Sequence, residues 1–283
     1  MRFYLILAAM LFASVSMHAQ QKCGQHLIEN ALRASNPELD AFITEQDELA
    51  RTQGQNYSAR AEKIIIPVVF HIIHNNGDEN ISDAQVFDAI RLMNLDYSAS
   101  SPALDDVIAS FQDDIGDAEI EFRLATIDPS GNPTTGIDRI VSTRTYTGDE
   151  ATKLNPWPRN MYLNIWTADE ITINGVPGAA AAYSMRPPNA QFFPNGDGII
   201  SNHIYVGSIG TSSGDSKTLS HEAAHYLNLK HTWGDSNYPG CDGTATNPND
   251  DCFGVNNCNE DDDVNDTPRT VGTDDFSCNL NAP

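Results

Sequence analysis

Thr218 to Gly234 reads TLSHEAAHYLNLKHTWG and brings His221, Glu222, His225 and His231 into eleven residues. On a helix, residues four apart share a face, so the imidazoles of His221 and His225 reach one ion while Glu222, one step round, leans towards it. This is a zinc-hydrolase pattern: two imidazoles hold the metal, and the carboxylate polarises the water the metal activates. For His231 to join them, the helix has to stop and the chain turn back. Asn228 stands three residues from His225 and three from His231. After glycine, asparagine best tolerates the left-handed backbone that ends a helix. Three neutral imidazoles leave one coordination position open, as catalytic zinc sites do. Two other readings stay open on the residues alone: two surface histidines on an ordinary helix, or a zinc hydrolase whose third ligand is a distant Glu.

Outward from this stretch, KIIIPVVFHIIH (Lys63 to His74) is β-branched and apolar almost throughout, a buried strand with a proline near its start. Asn75 to Asp78 is a turn. Ser82 then opens a helix, with Gln85 three residues on as a capping box and Val86, Ala89, Ile90 and Met93 as its apolar stripe. Residues 118–126, 137–141, Met161 to Thr167 and Gly198 to Gly207 read as strands. Ile171 to Pro188, rich in Gly, Ala and Pro, reads as a loop, and Asp215 to Leu229 as a helix. Past His231 the pattern dissolves into Asp, Asn, Gly, Cys and Pro. Strand, helix and loop alternate as in one α/β or α+β domain.

The 283 residues carry 39 acidic against 16 basic side chains, a formal net charge of −23, with 40% hydrophobic residues. That is enough apolar material for a core. The charge argues against nucleic acid and against anionic lipid as partners, since both need a basic face. Met1-Arg2 followed by an apolar run from Phe3 to Ala13 reads as a signal peptide cut near Ala19 or Gln20, too short for the roughly 20 residues of a membrane span. No second run of spanning length follows, so no membrane association is expected after cleavage. Residues 20–60 are polar and helix-prone and end in a linker from Gln53 to Ser58. Cys241, Cys252, Cys258 and Cys278 are separated by 10, 5 and 19 residues. In an exported chain they suggest two disulfides in any of three connectivities. A zinc knuckle is the rival, although no Cys-x-x-Cys pair is present. Cys23, in Lys22-Cys23-Gly24, is left over. As a thiolate it fits the open position of a zinc ion and would exclude water; otherwise it is an incidental free cysteine.

His221 to His231 with Asn228 between, the continuation His231-Thr232-Trp233-Gly234, the strand KIIIPVVFHIIH, Asn80-Ile81-Ser82-Asp83, Gly198-Ile199-Ile200 and Val264-Asn265-Asp266-Thr267-Pro268 together resemble the pappalysin family of metzincin metallopeptidases. Within it, the short secreted bacterial members related to ulilysin are the most similar. The resemblance spans about Lys63 to Cys278. It implies an α+β metzincin domain with a twisted mixed sheet, a backing helix, an active-site helix and a loop-rich, disulfide-stapled C-terminal subdomain. It implies secreted endopeptidase activity on protein or peptide substrates, with His221, His225 and His231 on Zn²⁺ and Glu222 as general base and acid. It also implies a Cys-Gly latch at Cys23 and the crossed disulfides Cys241–Cys258 and Cys252–Cys278.

The resemblance further implies calcium beside the zinc. Asp235 to Asp275 holds eleven Asp or Glu against one basic residue, Arg269, without an EF-hand spacing. Asp266 is the expected buried calcium ligand, against a bland reading as solvated acidic surface. Asn228 replaces the family's usual glycine. A Met-containing turn is expected downstream of the Asp-Thr-Pro segment, yet no Met follows Met185 before Pro283, so the chain reads as C-terminally truncated. The expected organisation is a signal peptide over 1–19, a pro-segment and linker over 20–60 and a catalytic domain over 61–283, as a monomer. Arg60 is a candidate maturation cut or a plain linker arginine. The alternative function is a catalytically inactive zinc- and calcium-binding module.

Overall fold

The computed structural model describes residues 23–54, 62–193, 196–214, 217–234, 236, 238–264, 266–272 and 278. The expected signal peptide and Arg60 lie outside these residues.

Two helices come first, α1 (Gln25–Ser35) and α2 (Pro37–Gly54). Pro37 at the first position of α2 has no N–H to leave unpaired, and Asn36 Oδ1 accepts from the Glu38 and Leu39 backbone. Then follow β1 (Ile64–His74), α3 (Asp83–Tyr97), β2 (Ile120–Leu124), β3 (Ile137–Val141) and β4 (Leu163–Ala168). A small antiparallel hairpin of β5 (Thr172–Ile173) and β6 (Val176–Pro177) leads into β7 (Ala182–Ser184). The short α4 (Pro187–Ala190), β8 (Ile199–Asn202) and α5 (Thr218–Tyr226) complete the regular elements.

The sheet runs β2–β1–β4–β8–β7, with β3 pairing the second half of β1 along the edge whose first half β2 occupies. β1 is parallel to β2, β3 and β4, and β4 to β8; only β7 runs antiparallel, at the rim. β1 is mostly apolar, and from Val68 to His74 it is buried because both of its faces are covered. Val68, Phe70 and Ile72 point to one side, where Leu163, Ile165 and Ile199 join them against Val86, Ala89 and Met93 of α3 and Leu219 and Ala223 of α5. Ile73, Trp166 and Ile200 point to the other side and pack with Ile171, Ile173 and Tyr183, onto which Leu27 and Ile28 of α1 fold. The sheet thus carries α5 on one face and receives α1 on the other.

Two local expectations are corrected. The capping box at α3 is half formed: Ser82 Oγ accepts from Gln85 N at 3.2 Å, but the Gln85 carboxamide turns inward and donates to the carbonyls of His203 and Val206. A buried amide is better satisfied by two loop carbonyls than by a solvated cap. Ile171 to Pro188 is not a plain loop, since it contains β5, β6 and β7. Its Ala and Gly content hid the edge strand: Ala182 and Tyr183 are fully buried, and small residues let α1 approach closely.

Candidate active site

α5 presents two faces. Leu219, Ala223 and Tyr226, spaced four and three apart, pack on the sheet. His221 and His225 lie on the opposite side, and Glu222, about 100° from His221, falls between the two faces and is 1% exposed. Asn228 ends the helix at φ 78°, with its N–H bonded to the His225 carbonyl at 2.8 Å. Leu229 N–H reaches back to the Ala224 carbonyl at 2.9 Å. Both bonds of a Schellman motif are therefore made, and the left-handed asparagine expected from the sequence is present. The reversal returns His231 to the helix.

The three imidazoles meet. Nε2 of His225 stands 3.1 Å from Nε2 of His221 and 3.2 Å from that of His231, and the remaining separation is 3.3 Å. Nitrogens about 2.0–2.1 Å from a tetrahedral zinc stand roughly 3.3 Å apart, so the triangle has the size of one face of such a site. His225 Nδ1–H donates to the Leu229 carbonyl at 2.8 Å, which leaves the Nε2 lone pair of the neutral ring directed at the other two. Burial pushes His225 down to about 3 and His231 down to about 2, and it also lowers His221, so the rings are uncharged at neutral pH. Three facing lone pairs repel one another without a cation between them. The donor set and its spacing fit zinc. Trp233 stacks on His231 with ring centroids 4.6 Å apart and planes 5° from parallel. Its indole N–H donates to the Ser236 carbonyl, which fixes the stack.

Cys23 supplies a fourth donor. Its Sγ is 3.4 Å from His225 Nε2, and the sulfur and the three ring nitrogens all lie within 4.8 Å of one another. The approach is made by backbone. Cys23 forms a parallel bridge with Ala182 of β7, and Gly24 N–H donates to the Ala182 carbonyl at 2.8 Å. A Cβ at Gly24 would lie 2.9 Å from Ala180 Cβ and 3.1 Å from Tyr183 Cβ, so glycine is what lets the segment lie this close. Burial raises the Cys23 thiol well above its ordinary range, with the Glu222 charge adding to that; a divalent cation at the cluster reverses the balance and favours thiolate. Burial likewise raises the Glu222 carboxyl to about 8, although the Cys23 thiol and the Ser184 backbone N–H act against that rise. Its Oε2 is buried with no hydrogen-bond partner.

The structure therefore gathers His221, His225, His231, Cys23 and Glu222 at one point. Asp266 is not among them, and contrary to expectation it is exposed. It sits in an exposed polar turn near Asp262, which burial and then the charges of Asp266 and Asp261 push up to about 6. The disulfides also differ from the crossed order. Cys241 pairs with Cys252 and Cys258 with Cys278, across 11 and 20 residues. The chain folds back locally: Val255 N–H bonds the Cys252 carbonyl, and Asn257 N–H the Cys241 carbonyl. Each cysteine then meets its sequence neighbour, the closure that restricts the chain least.

Sequence reasoning missed Arg186, which is 2% exposed beside the site. It hydrogen-bonds Glu29 and Asp47, and its Nη1 is 3.4 Å from Asn228 Oδ1. A lone arginine before two prolines carries no spacing signal. Its carboxylate partners lie more than a hundred residues away, so only the fold brings them together.

The chain is similar to known metallopeptidases. The peptidase M43 family, described as pregnancy-associated plasma protein-A, matches residues 146–282. An extracellular metalloprotease of Arthroderma gypseum is 24% identical over 236 residues, covering 82% of this chain and 67% of that protein. Among solved structures, Tannerella forsythia promirolysin is 30% identical with a TM-score of 0.65, covering 81% of this chain and 75% of that one. Mature mirolysin in complex with a cleaved peptide is 32% identical with a TM-score of 0.58, covering 67% of this chain and 72% of that one. With a mostly parallel sheet carrying α5, and this likeness in sequence and fold, the chain is a metalloendopeptidase and belongs to the pappalysin family of metzincins.

Proposed function

We propose that the chain is the latent precursor of a secreted zinc endopeptidase, with His221, His225 and His231 as metal ligands and Glu222 as general base and acid. The observation that carries it is the triangle of Nε2 atoms 3.1–3.3 Å on a side, with the buried Glu222 carboxyl beside it. Zinc bound there supplies Lewis acidity, lowering the pKa of a ligating water to about 7 and polarising a scissile carbonyl. The protein's residues do the rest. The Leu229 carbonyl fixes the His225 ring and Trp233 fixes that of His231, so both present Nε2 without searching. Glu222, whose Oε2 has no partner and whose carboxyl the charge of a bound divalent cation would hold ionised, accepts the proton of the attacking water and passes it to the departing amine. β7, the rim strand, lies along the site and suits an extended peptide added as a further strand.

Cys23 is read as the latch: its sulfur stands where the substrate water would, held by the Ala182 bridge. In this reading residues 1–19 are a signal peptide, 20–60 a pro-segment and 61–283 the catalytic domain. Export is supported by the extracellular relative, and no helix of the described residues is long and apolar enough to cross a membrane. Calcium is retained for the acidic loop on the crowding of Asp261, Asp262 and Asp266, where a hard cation would relieve the repulsion.

The test is Glu222→Ala in the full chain after cleavage between residues 54 and 62. It should keep one zinc per chain by elemental analysis and lose hydrolysis of casein by about 10²–10⁴-fold. Turnover at the parent rate would remove Glu222 from the mechanism, and an inert parent would favour the non-catalytic module.

A further inference from the structure

Arg186 follows β7 by two residues and is almost wholly enclosed, yet among the described residues its carboxylate partners both come from the N-terminal hairpin. Its Nε and Nη2 grip Glu29 Oε2 and Oε1 at 3.0 and 2.9 Å, and its Nη1 and Nη2 reach Asp47 Oδ1 and Oδ2 at 2.7 and 3.2 Å. Asn189 Nδ2 donates to Glu29 Oε2 at 3.1 Å, while Asn189 Oδ1 is buried with no partner. Lys230, one residue from His231, stands 3.5 Å from Asp47. On the sheet side, the acceptor beside Arg186 is the neutral Asn228 Oδ1 at 3.4 Å. Arg186 and the Asn189 amide, both within a few residues of β7, are thus matched to acids that belong to α1 and α2, whereas Lys230 divides between Asp47 and the nearer Asp263 at 2.9 Å.

A guanidinium fork enclosed at this depth is stable only while a carboxylate faces it. Once the hairpin departs, the fork and Asn189 Nδ2 remain aimed at the space Glu29 vacated, next to the rim strand. We propose that Arg186 and Asn189 form a carboxylate receptor that Glu29 fills in the latent chain and that an acidic side chain of the peptide substrate fills afterwards. The inference rests on residues 23–54 being a removable pro-segment and deepens that reading by naming a substrate class. The net charge of −23 does not oppose it. Exposed charges are screened within about 8 Å at physiological ionic strength, whereas the bidentate contact is direct.

The experiment uses the full chain, folded first and then cut between residues 54 and 62. Paired peptides differ at one position near the scissile bond, Glu against Gln or Asp against Asn, and every position is scanned. The expected result is one position where the acid is favoured over its amide by about tenfold in kcat/KM. In Arg186→Gln that ratio should fall to about one. Because Arg186→Gln leaves the enclosed Glu29 with Arg33 alone as its cationic partner, the double variant Glu29→Gln, Arg186→Gln is carried in parallel; it removes both charges before folding. The same pairs, fluorescein-labelled, are read by fluorescence polarisation on the cut Glu222→Ala chain, which reports binding without turnover. Equal handling of acid and amide at every position, or a preference that survives both Arg186 variants, overturns the receptor. An acid preference in binding with no hydrolysis in the parent leaves the receptor standing and removes the endopeptidase reading instead.

Discussion

Asn228 does at one residue what a glycine does in many helix ends: it takes φ to 78° so that His231 returns to the side of His221 and His225. Its substitution separates backbone from side chain. Asn228→Gly should keep the reversal, with zinc content and Tm close to the parent. Asn228→Val places a β-branched residue in the left-handed region and should lower stability by about 1–2 kcal/mol and weaken zinc retention, read by thermal melting and elemental analysis. Gly24 is the second position where a single Cβ matters. With Ala180 Cβ 2.9 Å from where it would sit, Gly24→Ala should lift Cys23 off the cluster. The measurement is the iodoacetamide alkylation rate of Cys23, which should rise at least tenfold over the parent. An unchanged rate would mean that the backbone absorbs the methyl.

At the scale of elements, α1 and α2 are tied to the sheet by ionic contacts as well as by Leu27 and Ile28. Glu29 shows how strongly. Burial alone would raise its carboxyl, but the hydrogen bonds and charge of Arg186, then those of Arg33, overcome that and bring it from an ordinary 4.5 down to about 2. A depressed carboxyl stabilises the docked state fully above its ordinary pKa and loses that contribution as pH falls towards the docked value. The protection of α1 against hydrogen exchange, corrected for the intrinsic pH dependence of amide exchange, should therefore be flat from pH 7 to about 5 and fall between pH 4.5 and 2. Glu29→Gln should abolish the acid dependence while weakening docking at neutral pH by on the order of 3 kcal/mol. None of this was legible beforehand, because the pairing joins residues 157 positions apart and has no periodic signature. The helices and strands themselves were legible where periodicity is strong: KIIIPVVFHIIH is β1 almost to the residue, and Ser82 caps α3. β7 was hidden because a three-residue rim strand among alanines and glycines has too few side chains to set a period.

Among the described residues, the core is one sheet covered on both faces, and the C-terminal loops carry two disulfides. Peptide mapping by mass spectrometry without reduction should recover Cys241 with Cys252 and Cys258 with Cys278. Recovery of Cys241 with Cys258 would return the crossed order that the family resemblance implied. Loss of one bridge, as in Cys252→Ser, should destabilise the loops by about 2–4 kcal/mol in urea titration while leaving β1 protected from exchange. The order of pairing could not be read from spacing, since four cysteines allow three connectivities and only the local turns choose among them. The site was legible because its three imidazoles lie within eleven residues. The fourth donor lies 202 positions from His225 and comes in on a separate piece of chain. Three of the four donors are thus carried by one continuous ribbon and the last by another. On the proposed reading, in which residues 20–60 are removed, losing that last donor would open a coordination position without redrawing the other three, so unmasking would be a matter of departure and not of rebuilding.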